Sequence, residues 1–265
     1  MENDFRKCKK CGIIKPLTEF YTNQYYCKTC QKEYSKYRKE MNKNKNVVGV
    51  IGDTHIPFEK KGYLEFCIET FKKWAVDTYL HIGDIVDNHA VSRHTTSTEA
   101  MTAIQEYELA KERLSKWYDA FPEMILIKGN HSTTISRQLK ELQIPELYLK
   151  DEAELYGMPY GWEIKQDVII DNVYYTHGIG KSGKYGAVNL AKDMMMSSVI
   201  GHIHSNGFCH YLKTPTSRIF GMNVGAGTDD SKYAFDYSAF STKKSNLGCG
   251  IVINSQEAYF IPFND

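Results

Sequence analysis

At 265 residues the chain is long enough for a core of about 200 residues with a small appendage, and too short for a large multidomain assembly. Hydrophobic residues make up 42% and charged residues 25%, which excludes global disorder, and no run approaches the roughly 18 to 20 apolar residues of a membrane span. The net charge of +1 divides unevenly: residues 1–46 carry 12 basic and 5 acidic side chains, net +7, leaving 21 and 27, net −6, for the remainder. A basic arm on an acidic body suggests that the first segment meets a polyanion while the body has another task.

The first zone holds four of the seven Cys, as Cys8-Lys-Lys-Cys11 and Cys27-Lys-Thr-Cys30 with fifteen residues between them. Four thiolates in two such pairs close a tetrahedral site, so the spacing predicts one structural Zn²⁺. The segment resembles a zinc ribbon; two disulfides or a rubredoxin-like iron are the alternatives. In so short a stretch the metal would supply most of the folding free energy. After Cys30 come Lys32, Lys36, Arg38, Lys39, Lys43 and Lys45 with Tyr34 and Tyr37 between them, a pattern that suits nucleic acid and equally suits a solvated helix. The polar run MNKNKN then reads as a linker. The expected organisation is a four-cysteine zinc ribbon with a basic linker helix over 1–46 and a second domain over 47–265.

From Val47 onward short apolar runs predict strands at Val47–Ile51, Tyr79–Ile82, Met124–Ile127, Val168–Ile170, Val173–Thr176, Val199–Ile200, Ile219–Val224 and Gly250–Ile253. Helices are expected at 62–75, 98–119 and 187–196, the second capped by Ser97 or Thr98 and followed by Pro122. The alternation means an α/β core. Asp171-Asn172 between two strand-like runs reads as a tight hairpin turn, so the sheets should be mixed.

Five polar blocks each follow an apolar run: Gly52-Asp53-Thr54-His55, Gly83-Asp84-Ile85-Val86-Asp87, Gly129-Asn130-His131, Thr176-His177-Gly178 and Gly201-His202-Ile203-His204. That places them at the carboxyl ends of strands, where open α/β sheets bind ligands. Asp53 and Asp84, the amide of Asn130 and four histidines exceed the needs of one tetrahedral ion and match a pair of divalent metals, with Asp84 as candidate bridge.

In order, these blocks form the signature of the calcineurin-like metallophosphoesterases, and the chain resembles that family from Val47 to about Ile253. The resemblance implies an α/β/β/α sandwich of two mixed sheets. It implies one metal on Asp53, His55, Asp84 and His204, and another on Asp84, Asn130, His177 and His202, with a metal-bound hydroxide as nucleophile. Mn²⁺ is the favoured ion, with Fe or Zn as alternatives. It further implies that His131 faces the leaving-group oxygen and that Asp87 holds its imidazole.

The chain departs from the family pattern at two positions. Ser132 follows Gly-Asn-His where many members have Glu or Asp. Asn88 stands where the protein Ser/Thr phosphatases have a phosphate-clamping Arg, which makes a phosphoprotein phosphatase less favoured. Asn88, Arg93, His94, Lys181 and Lys184 are the candidate substrate contacts. The loop Gly178–Tyr185 nearly matches a nucleotide-triphosphate loop, but Tyr185 replaces the magnesium-binding hydroxyl, leaving a phosphate contact or a surface loop as its readings. His81, within an apolar run, is expected to be packed rather than a ligand, and His89 is a candidate cleft residue. Cys67, Cys209 and Cys249 fit no ligand spacing.

These expectations together describe a dinuclear phosphodiesterase with nucleic acid as favoured substrate. A phosphatase of nucleotides or phosphoproteins, with the ribbon as docking module, and a non-catalytic scaffold are the alternatives. With 6 Arg against 27 Lys the composition has the look of an AT-rich genome such as a phage's. Without an apolar leader or span the protein is expected in the cytoplasm, that of the host if phage-encoded.

Overall fold

The computed structural model describes residues 5–21, 25–33, 46–92, 100–232, 234 and 242–264. Strands β1 (Phe5–Lys7) and β2 (Ile14–Pro16) pair antiparallel, and residues 28–33 are helical. The basic run from Tyr34 to Lys45 lies outside the described residues, as do Arg93, His94, Ser97 and Thr98.

Two larger sheets carry the rest. The first has the order β13 (Glu257–Pro262), β12 (Gly248–Ile253), β3 (Val47–Ile51), β4 (Thr78–His81), β5 (Met124–Ile127) and β6 (Trp162–Lys165). In it β3 to β6 run parallel, and β12 is antiparallel to both of its neighbours. The second has the order β10 (Gly207–Lys213), β11 (Arg218–Val224), β9 (Ser197–Ile200), β8 (Val173–Thr176) and β7 (Asp167–Ile170). Its three central strands are parallel, and its outer pairs are antiparallel. Asp171 and Asn172 join β7 to β8 with both residues at positive φ, 48° and 61°, the twist a two-residue hairpin requires. Both sheets are therefore mixed, as expected.

Strand β3 shows why the layers stack. All five of its residues are buried, so it reads as an unbroken apolar run rather than an alternating one. Val47 and Ile51 join Cys67 and Phe71 of α1 (Tyr63–Lys73) and Leu114 and Trp117 of α2 (Ala103–Ala120). Val48 and Val50 point the other way, into a core shared with Tyr175, Val199 and Met222 of the second sheet. Beyond that sheet, Ile200 packs on Ala187 and Leu190 of α5 (Gly186–Met194). The order helix, sheet, sheet, helix follows from these three contacts.

The start of α2 corrects the sequence reading. The helix begins at Ala103 rather than near residue 98, because Thr102 and Gln105 close a reciprocal capping box there: the Gln105 amide donates to Thr102 Oγ1, and the Thr102 amide donates to Gln105 Oε1. Two short helices escaped the pattern, α3 (Thr134–Glu141), which buries no residue, and α4 (Glu152–Tyr156). Trp117 lies where α2 meets both α1 and the first sheet and is almost wholly buried. Trp117→Ala is expected to lower the unfolding free energy by about 3–5 kcal/mol in urea titration; a loss under about 1 kcal/mol would show that α2 is not seated on this core.

Candidate metal centre

The loops that matter leave the carboxyl ends of parallel strands in both sheets. β3, β4 and β5 are followed by Asp53, Asp84 and Asn130, while β8 and β9 are followed by His177 and His202. Two backbone features press these loops together. A Cβ at Gly129 would strike the Asp84 carboxylate, and one at Gly201 would strike that of Asp53, so only glycine allows the approach. His55, Asp84 and His202 themselves take left-handed φ of 48°, 46° and 65°. Such conformations cost of order 1–3 kcal/mol each and persist where the surroundings enforce them.

The side chains converge on Asp84. Its Oδ2 lies 3.0 Å from His177 Nε2 and 3.9 Å from His55 Nε2, and its Oδ1 accepts from the His131 amide at 2.8 Å. Asn130 Oδ1 lies 2.9 Å from His177 Nε2, while His177 Nδ1 donates to the Ile82 carbonyl, which turns Nε2 toward the centre. On the other flank Asp53 Oδ2 accepts from the His202 amide at 2.8 Å and lies 3.1 Å from His204 Nε2, which in turn is 3.2 Å from His55 Nε2. All seven residues expected at a metal pair are thus brought together. Six of them form two trios of mutually close donor atoms, Asp53 with His55 and His204, and Asp84 with His177 and His202, and a third trio joins His55 to Asp87 and His131.

This donor set fits divalent cations. Asp53 Oδ1 is buried with no hydrogen-bond partner among the described residues, and imidazole nitrogens face each other across the centre. Burial pushes the Asp84 carboxyl up, but His177, His131 and His55 outweigh it and hold Asp84 well below the ordinary carboxylate range. Burial against His177 and His204 leaves Asp53 lowered in the same way. His177 carries the counterpart: burial pushes it down, while Asp53 and Asp84 raise it to about 9. Protons on imidazole occupy the electrostatic role that cations would take.

His131, in the third trio, has a different setting. Its Nδ1 lies 3.0 Å from Asp87 Oδ1 and 2.6 Å from the Asp87 carbonyl, which leaves Nε2 outward. Burial works against its charge, but the hydrogen bond to Asp87 and the nearby Asp84 raise it to about 9.

The remaining candidates separate. Asn88 Nδ2 donates to the His131 carbonyl at 3.2 Å and its Oδ1 accepts from Tyr156 OH at 3.1 Å, so it braces the His131 loop. Lys181 is matched by Asp193 at 2.6 Å. Lys184 Nζ lies over the Tyr185 ring, and its loop is latched to the turn after His204 by Asn206, which donates to the Gly183 and Lys184 carbonyls. His89 is buried on Phe58 rather than lining a cleft. His81 is fully buried: its Nδ1 accepts from the Gly83 amide, its Nε2 faces Thr54 Oγ1, and burial pushes it down to about 3, so it is a neutral packed His. Sequence reasoning missed Glu106, whose carboxylate accepts from the His89 and Ala90 amides at 2.8 and 2.7 Å and fixes the turn after Asp87. Its signal was a carboxylate on the buried stripe Glu106, Ala110, Leu114, Trp117 of α2.

The four N-terminal cysteines also meet, their sulfurs lying within 4.8 Å of one another. All seven cysteines are free thiols. Cys8 Sγ accepts from the Cys27 amide at 3.3 Å. Burial opposes ionisation of Cys8, yet backbone amides of Cys11, Cys27 and Lys10 bring it down to about 6, while burial and the other three sulfurs push Cys30 up to about 12. Four sulfurs so crowded lose their protons together only around a cation.

The centre's proton linkage predicts the pH response of the metal-stripped protein. His131 and His177, near 9 when folded against roughly 6.5 unfolded, contribute stability that is complete below about pH 6.5 and lost as pH rises through 9. The lowered Asp53, Asp84 and Asp87 act oppositely, their contribution being present above about pH 4 and lost as pH falls. The thermal midpoint of stripped protein is expected to fall between about pH 7 and pH 9.5; a flat profile there would contradict this charge arrangement.

The calcineurin-like phosphoesterase family model matches residues 47–226. No curated protein matches the chain. Among solved structures it is similar to Vacuolar Protein Sorting 29 from Cryptosporidium parvum, at 13% identity over 83% of this chain and 93% of that one, with a TM-score of 0.43. Vps29 from Chaetomium thermophilum gives 12% identity, 78% of each chain and 0.35. Nuclease MPE from Pseudomonas putida gives 13% identity, 70% of this chain, 76% of that one and 0.32. With more than half its length matched and the donor residues gathered at the strand ends, the chain belongs to the calcineurin-like phosphoesterase family.

Proposed function

We propose that the chain hydrolyses phosphodiester bonds of nucleic acid with two divalent cations, one held by Asp53, His55, Asp84 and His204 and the other by Asp84, Asn130, His177 and His202. The observation that carries this reading is the place of Asp84, whose Oδ2 lies between the two trios, within 3.0 Å of His177 and 3.9 Å of His55. Such a cation pair, when bound, activates water and neutralises charge on a phosphoryl group; Mn²⁺ suits this mixed oxygen and nitrogen set, as do Fe and Zn.

The chain's own groups supply the rest. Asp87 and its carbonyl anchor His131 Nδ1, so the proton on Nε2 is the one given to the leaving oxygen. Asn88 braces that imidazole's loop instead of clamping phosphate. Lys184 is the described cation proposed to meet substrate phosphate. Residues 1–46 form a ribbon closed by Zn²⁺ on Cys8, Cys11, Cys27 and Cys30 and bring the polyanion to the catalytic domain over 47–265. The net charge of +7 on that segment supports nucleic acid as the polymer.

On bis(p-nitrophenyl) phosphate with Mn²⁺, Asp84→Asn is expected to abolish turnover; an unchanged rate would sink the proposal. His131→Gln should lower kcat by about 10²–10⁴ with metal content intact. The aryl diester should also be turned over faster than the corresponding monoester, and the reverse order would point to a phosphomonoesterase.

A further inference from the structure

Helix α2 fixes how far the ribbon stands from the metal centre. At its first turn Glu106 accepts from the His89 and Ala90 amides, beside Asp87. At its last turn Asp119 pairs with Lys9 of the ribbon at 3.1 Å. Glu106 and Asp119 are 13 residues apart in the helix, which at 1.5 Å rise separates these contacts by about 20 Å. A second contact agrees: Tyr21 of the ribbon stacks on Tyr160, with ring centroids 6.3 Å apart and planes 13° from parallel. Tyr160 lies two residues before β6, and Asn46 directly precedes β3, so both lie at the amino edge of the parallel strands, opposite the carboxyl edge that carries the metal donors. The described residues of the ribbon therefore stand away from the catalytic pocket.

What the ribbon presents is a set of cations seated on aromatic rings. Lys9 Nζ lies 4.0 Å and Arg6 Cζ 5.4 Å from the Tyr25 ring centroid, and Lys28 Nζ lies 5.4 Å from that of Tyr21. Tyr25 is 45% exposed. A phosphate and its base are covalently joined, and a cation beside an exposed ring offers a partner to each. An acidic polypeptide would use the cations and leave the rings idle. The body, at net −6, attracts no polyanion through its overall charge.

We infer that Arg6, Lys9, Tyr25, Tyr21 and Lys28 form a polynucleotide anchor on the far edge of the fold, which assists hydrolysis only of strands long enough to reach both it and the metal centre. At 3.4 Å per nucleotide along a stacked strand, about 20 Å corresponds to at least about 6 nucleotides. The inference rests on the nucleic-acid reading above and adds where the polymer is held and how long it must be.

The test uses the full chain and the triple variant Arg6→Gln, Tyr25→Ser, Lys28→Gln, with zinc content measured first. If Tyr25→Ser lowers zinc content, the Arg6→Gln, Lys28→Gln pair is read instead. Binding of a fluorescent 30-nucleotide single strand at low salt is followed by anisotropy without added Mn²⁺, and kcat/KM with Mn²⁺ is measured on 4- and 30-nucleotide strands. The expected result is a loss of about tenfold or more in affinity and kcat/KM for the 30-mer, with the 4-mer unchanged. Unaltered 30-mer affinity, an equal loss on both lengths, or polyglutamate displacing the strand as well as unlabelled DNA does would overturn the anchor. Weakened binding in the variant, with no strand cleaved by the unaltered protein, would uphold the anchor and sink the nuclease reading.

Discussion

Three carboxylates, those of Asp53, Asp84 and Asp87, are packed at the edge of two facing sheets with 3% exposure or less, and their charge has to be answered from within the fold. No Lys or Arg hydrogen bond or ion pair to any of the three occurs among the described residues; the answer comes from histidine. Imidazole can be a cation, a hydrogen-bond donor or a neutral ligand, so a histidine-lined site can trade its protons for metal ions without rebuilding. Left-handed backbone at His55, Asp84 and His202, and the close passes at Gly129 and Gly201, are what the chain sets up to hold that assembly.

Two of the outer helices serve this edge as well as the core. Glu106 from α2 grips the turn after Asp87, Tyr156 from α4 grips Asn88, and Asn88 grips the His131 carbonyl. Ser132 Oγ donates to Glu152 at 3.0 Å, so a carboxylate from α4 reaches the loop directly after His131. Each brace acts on backbone or on a neighbour, and together they set the direction of the His131 imidazole.

Sequence legibility followed burial. β3, β4, β5, β8 and β12 were readable because strands inside a sandwich are apolar runs, and the five polar blocks stood out by ending such runs. β10 was missed: its sequence GFCHYLK lies at a sheet edge, half exposed, without clean alternation. α3 was missed because no residue of it is buried, so its apolar positions have no partner stripe to reveal them. The site's donors were legible as motifs; the braces Glu106, Glu152 and Tyr156 were not, since they reach the loops across 16 to 68 positions of sequence. The partners of Asn88, the His131 carbonyl and the Tyr156 hydroxyl, were hidden for the same reason, being set by tertiary packing alone.

The central claim is that these loops hold two cations sharing Asp84. Anomalous diffraction from crystals of the protein grown with Mn²⁺, collected near the manganese edge, tests it directly. The account predicts two adjacent manganese peaks flanking the Asp84 carboxylate, about 3.5 to 4 Å apart. A single peak, or two peaks on separate loops with Asp84 touching neither, would contradict it.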